Sequence, residues 1–169
     1  MDLKLVYGPG NSNKAFQTYS DADHGENADN GQSTGGYLVK IGYGAVSWSS
    51  KLQSIVALST TEAEYVAAVE AGKEIVWMCQ FLGELGYSQH GPSILRMDNQ
   101  SAISVSKNPE HHGRMKHLDL RFYWLRGTVH SGVITLKYVP TAEMPADVLT
   151  KPLARIKVAE MQELLGLQL

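Results

Sequence analysis

Apolar and polar residues alternate in short runs through the first third of the chain and then switch to helical spacing. Phe16 to Asp21 reads as a strand, followed by a Gly- and Asp-rich loop from Gly25 to Gly31 and a second strand from Gly36 to Ile41. Gly42-Tyr43-Gly44 signals a tight turn and Ala45 to Ser49 a third strand. Connections this short imply an antiparallel meander. Ser59-Thr60-Thr61-Glu62 then has the form of a capping box, in which the Ser hydroxyl and the Glu carboxylate satisfy the first free backbone donors of a helix. Glu64, Ala68, Ala71, Ile75, Met78, Leu82 and Leu85 recur at spacings of four and three, one stripe of a long helix that Gly86 ends. Glu64 opens this inward stripe, whereas Glu62 lies about 160° around the helix and points elsewhere.

The second half alternates strands and helices. Ser93 to Met97 reads as a fourth strand ending at Asp98, and Asn99 to Lys107 as a short helix capped by Asp98 or Asn99. A helix from Leu118 to about Val129 carries Leu118, Phe122, Leu125 and Val129 on one face, and Gly132 stops it. Val133 to Val139 is a fifth strand, and Pro145 suits the first position of a helical turn holding Asp147. Pro152 separates that turn from a terminal helix, Val158 to Leu165. This order predicts one mixed α/β domain. Residues 1–15, with Gly8-Pro9-Gly10-Asn11-Ser12-Asn13, lack periodicity and read as a lead-in that tethers the domain (16–169) to something upstream.

Composition narrows the picture modestly. A chain of 169 residues, 43% hydrophobic and 19% charged, suffices for one buried core. Cys79 is the single cysteine, which rules out an internal disulfide and multi-cysteine zinc sites and fits a reducing compartment. The N-terminus lacks a signal-peptide pattern and no run reaches the roughly 20 apolar residues of a spanning helix, so a soluble, intracellular protein without membrane association is expected. Net charge is -2, yet Lys107 to Arg126 carries five basic residues against Glu110 and Asp119, leaving -5 for the rest. Such a patch suits phosphates or, equally, a solvated helix face.

The candidate chemistry lies in four distant acids: Asp21, Glu64, Asp98 and Asp147. Three stand at strand-to-helix junctions, where ligand sites of α/β sheets form. If the fold gathers them, hard divalent cations would relieve their mutual repulsion and supply phosphodiester hydrolysis. Scattered acids are more often surface groups or caps, so spacing alone does not decide. His111, His112 and His117 lack the spacing of a zinc site. Trp77 and Trp124, on apolar helices, are expected in the core rather than stacking on bases. No phosphate loop of the P-loop type and no G-x-S-x-G elbow is present.

Taken in order, Leu-Val-Tyr-Gly-Pro-Gly, Tyr-Ser-Asp-Ala-Asp, Gln-Ser-Thr-Gly-Gly-Tyr, Ala-Val-Ser-Trp-Ser-Ser-Lys-Leu-Gln, Leu-Ser-Thr-Thr-Glu-Ala-Glu-Tyr, Met-Asp-Asn-Gln-Ser-Ala-Ile, Arg-Met-Lys-His-Leu-Asp and Ala-Asp-Val-Leu-Thr-Lys-Pro-Leu span nearly the whole chain. The sequence resembles the ribonuclease H domain of the polyproteins of Copia-type (Pseudoviridae) LTR retrotransposons. That resemblance implies a ribonuclease H-like fold, with a five-stranded mixed sheet of three antiparallel and then two parallel strands flanked by helices. It also implies endonucleolytic cleavage of the RNA strand of RNA-DNA hybrids with two Mg²⁺ ions, Mn²⁺ substituting, held by Asp21, Glu64, Asp98 and Asp147. Asp21 is preferred to Asp23 on motif alignment alone. Lys116, His117, Arg121 and Arg126 are the candidates for nucleic-acid backbone contacts. The lead-in would join an upstream reverse transcriptase, with the isolated domain monomeric and the native element's protein cytoplasmic, in virus-like particles. The chain departs from the family at His24, Tyr123 and Gly127, and the loop from Pro140 to Ala146 lacks the histidine that many cellular ribonucleases H carry there. His117 is the candidate substitute. A catalytically silent module supporting a polymerase, and a DNA nuclease of related fold, are the competing readings.

Overall fold

The computed structural model describes residues 3–8, 16–25, 27, 29–107 and 119–168, the side chains of Asp119 and Phe122 excepted. Strands β2 (Gln17–Ala22), β3 (Thr34–Ile41) and β4 (Gly44–Leu52) follow a two-residue strand β1 (Lys4–Leu5). Helix α1 (Thr60–Glu84), strand β5 (Ser93–Met97), helices α2 (Gln100–Lys107) and α3 (Asp119–His130) and strand β6 (Ile134–Tyr138) come next. Two 3-10 turns, Thr141–Glu143 and Pro145–Leu149, lead into helix α4 (Arg155–Leu165) and a final two-residue strand β7 (Leu167–Gln168).

The main sheet has the order β4-β3-β2-β5-β6, antiparallel across β4, β3 and β2 and parallel across β2, β5 and β6. This is the expected mixed five-stranded sheet, flanked by helices. Alternation along β3 separates its two faces. A Cβ at Gly35 would meet Ala67 of α1, whereas one at Gly36 would meet Leu149 and Thr150 of the C-terminal segment. Tyr37 and Val39 accordingly pack with the α1 core, and Leu38 lines an apolar cavity with Leu149, Leu165 and Leu167.

Helix α1 forms where its cap predicts. Ser59 accepts from the Glu62 backbone N–H at 3.2 Å, and the Glu62 carboxylate accepts from Leu58 N–H at 2.9 Å. Glu62 thus turns away from Glu64 as expected, yet it is buried. Six of the seven residues in the predicted stripe are buried, from Glu64 to Leu82; Leu85 is the exception, exposed as the C-cap residue. Their apolar members pack with Leu95, Met97, Leu125, Ile134 and Leu136 to make the principal core. Trp124 is half-buried against that core, and Gly72 leaves it room. Trp77 corrects an expectation: it is 52% exposed on the outer face of α1, stacked on Phe81 with ring centroids 5.2 Å apart.

Two elements differ from the sequence reading. The turn opened by Pro145 is a single 3-10 segment, and α4 starts at Arg155, three residues before the expected Val158. The lead-in also joins the fold. Lys4 and Leu5 pair antiparallel with Gln168 and Leu167, Val6 N–H donates to Gly166 O at 2.8 Å, and the Tyr7 hydroxyl donates to Ala45 O at 3.0 Å. Among the described residues, no helix is long and apolar enough to cross a membrane.

Candidate active site

Parallel pairing of β2 with β5 and of β5 with β6 points their C-terminal ends the same way, and the acids follow from that. Asp21 is the penultimate residue of β2, Asp98 follows β5 directly, and Asp147 lies in the 3-10 turn beyond β6. Glu64 enters from the beginning of α1. Ligand oxygens of Asp21, Glu64 and Asp98 lie within 4.8 Å of one another. Asp147 is outside that trio and is tied to it through Lys151, whose ammonium lies 3.0 Å from Asp21 Oδ1 and 3.0 Å from Asp147 Oδ1.

Capping duties fall on neighbours and leave the acids free. Asn99, not Asp98, caps α2, its side-chain oxygen accepting from Ala102 N–H at 2.9 Å. Asp23 accepts from Thr34 N–H at 2.6 Å and so fastens the start of β3, while Asp21 is fully buried in the cluster. The Thr150 hydroxyl donates to Asp21 Oδ2, and Thr141 donates to Asp98 Oδ2 at 2.8 Å.

This crowding has an electrostatic signature. Burial, reinforced by the charges of Asp21 and Asp98, pushes the Glu64 carboxyl up to about 10, and burial raises Asp147 to about 6. Glu64 Oε2 is buried with no hydrogen-bond partner. An orphaned carboxylate oxygen beside two further carboxylates is an all-oxygen donor set of the kind a hard divalent cation takes. The residues present therefore fit Mg²⁺ or Mn²⁺.

Of the four expected substrate contacts, Lys116 and His117 lie outside the described residues, as do His111 and His112. Arg121 lines a cavity of about 320 Å³ with Gly35, Gly36, Lys51, Gln53 and Ser54. Its Nη2 donates to Ser54 Oγ at 3.0 Å and its Nη1 is buried without a partner. The cavity lies on the α1 side of β3, between Gly35 and Ala67, and none of the four acids lines it. Arg126 is turned towards α2, donating to Val105 O at 3.3 Å. The sequence reading missed Lys151 and Thr150. Their signal was their place inside the Asp147 motif, three and four residues after that acid.

The chain is 46% identical over 158 residues to the retrovirus-related Pol polyprotein from transposon TNT 1-94 of Nicotiana tabacum, covering 94% of this chain and 12% of that protein. It is 39% identical over 152 residues to the Pol polyprotein from transposon RE2 of Arabidopsis thaliana, covering 90% and 10% respectively. The chain thus spans about a tenth of the length of these curated relatives. Among solved structures, LC11-RNase H1, isolated from compost by a metagenomic approach, matches with a TM-score of 0.57 at 16% identity, over 80% of this chain and 91% of that one. The same protein in complex with an RNA/DNA hybrid gives 0.55 at 18% identity, over 80% and 93%. No family model matches. Identity this low establishes shared fold, and the polyprotein alignments supply the kinship. The chain belongs to the Copia-type, retrovirus-related Pol polyproteins, of which it corresponds to a segment with the ribonuclease H fold.

Proposed function

We propose that the chain is a metal-dependent ribonuclease H that hydrolyses the RNA strand of RNA-DNA hybrids during reverse transcription of a retrotransposon. The observation that carries this reading is the convergence of Asp21, Glu64 and Asp98, with Asp147 joined through Lys151, at the C-terminal ends of parallel strands. Asp21, Glu64, Asp98 and Asp147 would hold two Mg²⁺ ions. When bound, such ions supply the Lewis acidity that phosphodiester hydrolysis requires. Asp21 and Glu64 form the buried floor, while Asp98 is partly exposed and opens the site towards substrate. Thr150 and Thr141 orient the carboxylates of Asp21 and Asp98.

Strand choice rests on the RNA 2′-hydroxyls and the shape of the hybrid. The Arg121 cavity offers a guanidinium, the Lys51 ammonium and the Ser54 hydroxyl, a suitable seat for a nucleic-acid backbone. Lys116, His117 and Arg126 remain candidates for further contacts. The similar LC11-RNase H1 was solved with an RNA/DNA hybrid, which supports the substrate class. In the native polyprotein, residues 1–15 would connect the domain, 16–169, to a reverse transcriptase, and the protein would act within cytoplasmic virus-like particles.

A labelled hybrid incubated with the chain and Mg²⁺ or Mn²⁺ tests the reading. Cleavage confined to the RNA strand is expected, with duplex RNA and duplex DNA left intact. Asp98→Asn should lower the rate by at least about a hundredfold, equivalent to about 2.7 kcal/mol of barrier, with the melting temperature little changed. A folded chain that binds hybrid yet cuts it with neither ion would overturn the proposal.

A further inference from the structure

Lys151 sits where a cation is needed. Its ammonium contacts Asp21 Oδ1 and Asp147 Oδ1 at 3.0 Å each, and the carboxylate side chains are 0% and 5% exposed. Two buried carboxylates without a partner would be strongly destabilising, and the ammonium removes that penalty. The backbone holds the lysine there. Lys151 N–H and Thr150 N–H both donate to Asp147 O, at 3.0 and 3.1 Å, which closes the chain tightly over the 3-10 turn. Pro152 follows and disfavours continuation of the helical path.

The same geometry makes Lys151 a competitor. A divalent cation accepting lone pairs from Asp21 would meet an ammonium hydrogen-bonded to Asp21 Oδ1, while Thr150 already donates to Oδ2. Two cations around one carboxylate repel each other at this range. The lysine side chain is 28% exposed, so a path to solvent is open to it.

We propose that Lys151 is a tethered counter-ion: it holds Asp21 and Asp147 together in the metal-free protein and must be displaced when a divalent ion loads. The inference rests on the acids being the metal site, as the proposed function has it. Lys151 is a positioning residue and sets the metal concentration at which the site fills.

Calorimetric titration of Mn²⁺ and Mg²⁺ into the full chain without substrate, paired with melting in chelator, tests this. Lys151→Met keeps the length and removes the charge. Its Mn²⁺ dissociation constant should fall about tenfold or more while its metal-free melting temperature drops by several degrees. Lys151→Arg keeps the charge and should stay near wild type in both. A lysine with only a structural role would instead give equal or weaker metal binding in Lys151→Met, and that result would overturn the proposal. Should Lys151→Met fail to fold, amine acylation of the wild type followed by mass spectrometry serves instead. Lys151 should label slowly in chelator and at least about tenfold faster with saturating Mn²⁺, and a rate indifferent to metal would overturn the inference. A wild type that binds neither ion would bring down the metal reading and this inference together. Wild-type binding unchanged in Lys151→Met would bring down the inference alone.

Discussion

Burial and the neighbouring carboxylates make Glu64 hold its proton more tightly than a free carboxyl does. Its carboxyl is pushed up to about 10 from an ordinary 4.5, and that of Asp147 to about 6 from 3.8, burial being the main cause in both. Folded-state values above unfolded ones mean that the folded chain binds these protons more tightly. The resulting stability is fully present below the ordinary values and is lost as pH rises towards the folded ones. Melting in chelator should therefore show a temperature that falls as pH rises from roughly 5 to 8, and saturating Mg²⁺ should flatten that slope, because the ion favours the carboxylate. A flat profile in chelator would contradict the account. Glu64→Gln resembles the protonated acid in shape and charge. It should hold or raise the metal-free melting temperature at pH 8 while losing most of the Mn²⁺ binding seen by calorimetry. At this scale the sequence was legible where periodicity spoke. Helical phase alone separated Glu64 from Glu62, because one faces the core and the other its own cap. Asp21 and Asp23 are two apart on adjoining backbone, so periodicity does not rank them; their division of labour shows in their partners, Thr34 N–H on Asp23 against Thr150 and Lys151 on Asp21. Lys151 escaped notice because a lysine after a buried acid looks like any solvated surface charge until the acid's neighbours are known.

Strands and helices fell close to their expected places because each carries its own local signal. Gly42 with a positive φ turns β3 into β4, Ser59 caps α1, and Gly86, also at positive φ, stops it. The C-terminal segment was read less well. Its 3-10 geometry depends on contact with the sheet, which no local pattern encodes. Gly36 is where that contact is made. A Cβ there would lie 2.8 Å from Thr150 Cγ2 and 3.0 Å from Leu149 Cβ, so the segment rests on the bare backbone beside Asp21. Gly36→Ala should cost about 1–3 kcal/mol of stability through overpacking. It should also lower the turnover of hybrid by about 10- to 100-fold, since displacing the turn moves Asp147, Thr150 and Lys151 at once. Denaturant melts and single-turnover cleavage would measure the two effects separately. Stability lost with turnover intact would show that the turn tolerates the shift. Trp77 marks the opposite failure, an apolar residue on an apolar helix whose own face happens to look outward.

Across the whole molecule, the acids come from β2, α1, the end of β5 and the turn after β6, so the cluster exists only when every layer is in place. Periodicity supplied the parts of this architecture, and the order of motifs supplied its arrangement. The lead-in was the least legible region, since two residues of β1 pair with β7 across the full length of the sequence. A two-residue strand has no periodicity to detect. Deleting residues 1–8 removes that pair, the Val6 to Gly166 bond and the Tyr7 to Ala45 bond. The expected cost is about 1–3 kcal/mol, visible as a melting temperature lowered by several degrees with hybrid cleavage retained. An unchanged melting temperature would mark the lead-in as a passive tether. Because β1 and β7 are antiparallel, with Lys4 opposite Gln168, both outer ends of the pair leave from the same side. A pull applied between them loads the bonds one after another instead of together, so this clasp would peel open at low force while the sheet that holds the acids bears none of the strain.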